Sequence, residues 1–134
     1  MKMLLFIALG GALGAVGRYL VMSGVGRWLS DFAPIATLSV NVMGSFVLGA
    51  LIEVLALTWS PGREMQAFLV VGVLGSFTTF STFSMDVIFL LERGDMAGAA
   101  TYAVLSVVTS VVALFLGMYL LRQVNLEVIK LHLM

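Results

Sequence analysis

The chain has 134 residues, of which 61% are hydrophobic and 10% charged, with a formal net charge of zero and a mean hydropathy of +1.13. A chain of this composition cannot hide its apolar surface from water as a soluble domain of similar length does. There is no cysteine and a single histidine, His132. Thiolate chemistry and His- or Cys-ligated zinc therefore lack a ligand set, and the scattered basic residues leave no electrostatic footprint for nucleic acid.

About 20 mostly apolar residues carry a helix across the hydrocarbon layer. Four windows satisfy that length, at 3–25, 36–59, 67–91 and 97–121. They predict an all-α membrane protein with one four-helix transmembrane domain over residues 1–134. The connections hold the charge and the helix breakers: Arg27, Asp31 and Pro34; then Ser60, Pro61, Gly62, Arg63 and Glu64; then Glu92, Arg93, Gly94 and Asp95. Trp28, Trp59 and Tyr119 lie near span ends, where amphipathic rings suit the lipid boundary.

The first window begins like a cleaved signal peptide, with Lys2, an apolar run and small residues at Gly10, Gly11, Ala12, Gly14 and Ala15. Hydrophobicity continues beyond Arg18 through Tyr19, Leu20, Val21 and Met22, so a retained first helix is expected, with Arg18 near its end. An even number of spans puts both termini on one side. Lys2, Arg63, Arg122 and Lys130 then oppose Arg27 and Arg93, a small bias that favours termini inside and leaves insertion in both directions physically open.

Polar residues inside spans require partners or water. In the second window Thr37, Asn41 and Ser45 recur every four residues and share one helical face. Single hydroxyls usually bond to their own helix or glue neighbouring helices. Asn41 is different, because no single backbone carbonyl satisfies an amide, and a pathway or interface role is expected for it.

The third window contains the densest signal, Gly72-Val73-Leu74-Gly75-Ser76-Phe77-Thr78-Thr79-Phe80-Ser81-Thr82-Phe83-Ser84. Glycine and clustered hydroxyls make poor continuous helix, so a break is expected over residues 75–79. Backbone freed at membrane depth must line a cavity or bind an ion. Phe80 and Phe83 then project from similar sides of the following half-helix. Such rings are usually packing, but their positive edges can also favour an anion.

The fourth window repeats the polar lane with Tyr102, Ser106 and Ser110, and Thr109 beside it. Glu53 and Asp86 fall in the outer parts of their windows. Each is expected as a solvated end residue, or, for Asp86, as a continuation of the Thr82 side; no acid/base couple, and hence no enzyme site, is evident. Gly10 and Gly14 form a small-residue ridge, and Gly44 and Gly49 give the second helix places of close approach.

These residues resemble the Fluc, or CrcB-type, fluoride channel family over nearly the whole chain. The resemblance rests on Gly17-Arg18-Tyr19, on Thr37-Leu38-Ser39-Val40-Asn41 with Gly44, and on residues 72–84 with their run Thr78-Thr79-Phe80-Ser81-Thr82-Phe83-Ser84. It implies an antiparallel, dual-topology homodimer in the cell's inner membrane, with a third helix broken mid-membrane and two fluoride pathways near the interface. It further implies that Asn41 donates to the ion and that Phe80 and Phe83 line the path edge-on. Thr79, Ser81, Thr82, Tyr102, Ser106 and Ser110 extend the track, with Arg18 at a vestibule or in a structural role. A structural sodium ion on the dimer axis is implied on the carbonyls of Gly75 and Thr78. Ser76 and Asp86 depart from the family's usual Gly and Glu. Fluoride holds its water tightly, so its passage requires several replacement donors, and passive flow needs no nucleotide loop. The rival readings are a small multidrug-type, proton-coupled exporter, which needs an intramembrane carboxylate, and a non-conducting assembly subunit.

Overall fold

The structure, a computed structural model, describes residues 1–28 and 33–133. Asp31 and the side chains of Lys130 and His132 lie outside the described residues. The described chain is helical: α1 (Lys2–Trp28), α2 (Ala33–Leu57), α3 (Arg63–Gln66), a π-helical run (Ala67–Leu74), α4 (Gly75–Phe77), α5 (Phe80–Glu92) and α6 (Met96–Leu133). Four stretches are long and apolar enough to cross a membrane: Lys2–Trp28, Pro34–Leu57, Arg63–Glu92 and Met96–Leu126. The protein is therefore a multi-pass membrane protein. Arg18 lies well inside α1, which runs on to Trp28, rather than near the helix end. The apolar residues that follow Arg18 sustain the helix.

Within lipid, helices associate by close packing rather than by escape from water, so small residues decide where backbones touch. A methyl group at Gly10 would collide with the Phe68 carbonyl, and one at Gly14 with the Val73 carbonyl. These two glycines seat α1 directly on the π-helical run. Gly49 meets the backbone of Leu114 and Met118, while Gly117 meets that of Phe46 and Ala50, so α2 and α6 touch reciprocally. Gly44 receives the Thr78 methyl and the Phe77 ring.

The α2 and α6 helices run parallel, because the chain returns across the bundle between them. Their cross-links keep a nearly constant sequence offset: Thr58 donates to Asn125 at 3.2 Å across 67 positions, and Arg122 pairs with Glu53 across 69. At the turn into α6, Gly94 takes φ 78°, the left-handed geometry that glycine tolerates best. Asp95 then caps α6, accepting the Gly98 N–H at 2.8 Å. A small core of Leu90, Ala99 and Tyr102, with Leu38, Phe83 and Val87 packed against it, joins α5 to α6 and α2.

Candidate ion pathway

The stretch from Gly75 to Thr79 divides in two. Gly75–Phe77 is helical, whereas Thr78 (φ −78°, ψ 158°) and Thr79 (φ −150°, ψ 116°) are extended, and helix resumes at Phe80. The cause is a competition for backbone groups. In an unbroken helix the Thr79 N–H would bond the Gly75 carbonyl; here it donates to Asn41 Oδ1 at 2.7 Å. Asn41 Nδ2 donates in turn to the Thr79 carbonyl at 3.0 Å. One side-chain amide thus clamps both polar groups of one residue, across 38 positions of sequence.

Thr79 is also the N-cap of α5. Its Oγ1 accepts the Thr82 N–H at 3.2 Å, a bond that a continuing helix would give to the Thr78 carbonyl. The same oxygen donates to Thr82 Oγ1 at 3.0 Å and lies 3.2 Å from Ser81 Oγ. Three hydroxyls of α5's first turn are therefore linked to each other and, through Thr79, to Asn41.

From that turn two rings extend. Phe80 and Phe83 have centroids 5.2 Å apart at 42°, and Phe83 and Tyr102 stand 5.5 Å apart at 41°. Phe80 is 75% exposed in a single chain, so its ring stands out from the bundle. Asn41, Ser45, Thr78, Thr79, Phe80, Phe83, Ser106 and Ser110 all border one cavity of about 350 Å³, and no charged residue among the described residues lines it. Its polar side chains are hydroxyls and an amide, set among the Phe80 and Phe83 rings, an inventory suited to a small anion that must shed water without meeting a fixed charge.

The expected site residues do not all converge there. Ser81, Thr82 and Tyr102 adjoin the lining residues by the contacts above but do not border the cavity. Arg18, half-buried on α1, does not border it and makes no hydrogen bond or ion pair among the described residues. Thr109 bonds back to the Leu105 carbonyl at 2.6 Å, as Ser39 and Ser84 do to their own helices.

The two intramembrane acids are not solvated end residues. Asp86 is buried and accepts from the Tyr102 hydroxyl at 3.1 Å, and Glu53 is buried against Arg122. Both helices continue past them, and the neighbouring helix supplies a donor to each. The hydroxyl oxygens of Thr37 and Ser106 are buried without a hydrogen-bond partner among the described residues. The clamp on Thr79 is the feature that residue spacing could not reveal, since nothing local links Asn41 to a residue in another span.

Residues 5–118 match the family described as CrcB-like protein, Camphor Resistance (CrcB). The chain belongs to that family. Among its relatives, the fluoride-specific ion channel FluC of Rhodospirillum centenum is 53% identical over 122 residues, covering 91% of this chain and 97% of the relative. The fluoride-specific ion channel FluC of Nitrobacter winogradskyi is 50% identical over 119 residues, covering 89% and 94%. That of Chelativorans is 46% identical over 121 residues, covering 90% and 97%. CrcB-like relatives with these names are ion channels and not enzymes.

Proposed function

We propose that this chain is a fluoride-selective channel that lets fluoride leave the cell passively and so limits its toxicity. The observation that carries the reading is the uncharged cavity of Asn41, Ser45, Thr79, Ser106 and Ser110 rimmed by Phe80 and Phe83. The relatives' printed name agrees with it. A proton-coupled exporter is not favoured, because the two membrane-embedded acids border no part of the cavity and are each engaged with a neighbour.

The functional unit is an antiparallel homodimer in the inner membrane, each copy a single four-span domain whose third span is broken at mid-membrane. Support comes from Phe80, too exposed for a ring meant to rim a narrow path unless a second copy covers it. Asn41, Ser81, Thr82, Ser106 and Ser110 form the track of donors, flanked by Thr79 and Tyr102, whose hydroxyl protons go to Thr82 and Asp86, and Arg18 contributes to a vestibule or to structure. The Gly75 and Thr78 carbonyls fit a structural sodium ion. Their helical donors are diverted, the Thr79 N–H to Asn41 and the Thr82 N–H to Thr79 Oγ1, and carbonyl dipoles released from those donors suit a hard monovalent cation. Bound there with the same carbonyls of a second copy, sodium would tie the two breaks together.

The test is fluoride efflux from proteoliposomes, alongside Phe80→Ile and Phe83→Ile. Wild type is expected to release fluoride and retain chloride, and each variant to lose fluoride flux. Equal passage of chloride, or no passage of either ion, would overturn the reading.

A further inference from the structure

The buried carboxylate of Glu53 takes no part in the pathway described above. It is 3% exposed inside an apolar span, whereas its partner Arg122, with a side chain 55% exposed, lies near the end of the fourth span, Met96–Leu126. A carboxylate buried within a span is retained only with a partner. Besides the apolar core around Tyr102, α2 and α6 are joined by the Gly49 and Gly117 backbone approaches, the Thr58–Asn125 bond and the Glu53–Arg122 pair. The glycine contacts permit close approach but are steric and undirected. The ion pair ties one level of α2 to one level of α6 and so favours a single register.

That register reaches the candidate pathway. The 69-position offset of the pair also matches Asn41 with Ser110 and Thr37 with Ser106, the polar residues of the two lanes. Asn41 lies twelve positions before Glu53 on the same α2, about 18 Å along a rigid helix. A one-residue slip of α2 on α6 would move each lane by about 1.5 Å and rotate it out of alignment.

We propose that Glu53 and Arg122 form a register lock, positioning residues that align the hydroxyl and amide lanes of α2 and α6 from outside the cavity. Glu53 is the buried member, so loss of Arg122 strands an unpaired charge inside the bundle. Loss of Glu53 leaves an arginine able to reach the headgroup layer. The two substitutions are therefore unequal.

The inference rests on the fluoride reading and is tested beside it, by the fluoride-to-chloride permeability ratio of reconstituted protein normalised to the amount folded. Arg122→Met is expected to lower the ratio by about tenfold or more, Glu53→Gln by about threefold, and Arg122→Lys, which keeps the cation, by less than about twofold. A purely structural pair would reduce the yield of folded protein and leave the ratio unchanged. If Arg122→Met does not fold, Glu53→Gln decides. An unchanged ratio in a folded variant, or Arg122→Lys as impaired as Arg122→Met, overturns the lock. Lack of selectivity in the wild type would instead reject the fluoride reading itself.

Discussion

Replacing Asn41 by aspartate changes one atom of the clamp and reverses its chemistry. The carboxylate still accepts the Thr79 N–H, now at 2.7 Å, but cannot donate to the Thr79 carbonyl, at 3.0 Å from the lost amide nitrogen. Thr79 is buried, so stranding its carbonyl costs about 1–3 kcal/mol. Asn41 borders the cavity, so the new carboxylate also sets a negative charge where an anion would pass. The stranded carbonyl alone depopulates the clamped arrangement by roughly five- to 150-fold, and with the charge opposing the anion fluoride flux is expected to fall below detection at neutral pH. The assay is fluoride current across a planar bilayer, which excludes leakage of neutral hydrogen fluoride from the reading. A protonated acid again presents one donor and one acceptor side by side. Current in Asn41→Asp should therefore return on acidification, while Asn41→Leu, which has neither group, stays silent. Wild-type current from Asn41→Asp at neutral pH would refute the reasoning, as would recovery of Asn41→Leu in acid.

Gly14→Val forces side-chain atoms against the Val73 carbonyl and should destabilise the bundle by about 1–3 kcal/mol, seen as a lower melting temperature in detergent; an unchanged melting point would mean that α1 is not seated on the π-helical run. Thr79→Ala removes the cap of α5 and should cost about 1 kcal/mol, with flux reduced but not abolished. Thr79→Ser, which keeps the hydroxyl, should behave as wild type if the cap is the cause. Tyr102→Phe leaves the buried Asp86 without its donor and should cost about 1–3 kcal/mol. Adding Asp86→Asn to Tyr102→Phe should recover part of that loss, and no recovery would show that the bond contributes little.

Four apolar stretches, the glycine contacts and the unusual hydroxyl density of residues 75–84 were legible in the sequence, because lipid imposes a composition on whatever crosses it. The two polar lanes followed from four-residue spacing alone. Their partners did not. Whether a buried group meets a donor depends on which helix faces it and at what height, and that is a property of packing. Arg18, expected near a helix end, sits inside a longer α1, since apolar continuity marks a span but not its cap. Glu53 and Asp86 read as solvated ends when only their own helices were considered, and neighbouring helices convert them into an ion pair and a hydrogen-bond acceptor.

Composition and periodicity by themselves determined that this chain crosses a membrane with helices and carries neutral polar lanes, because hydropathy and helical spacing are local properties of the chain. Only tertiary structure decided that Asn41 grips the backbone of Thr79, since a bond across 38 positions exists only once two helices lie side by side at a definite height.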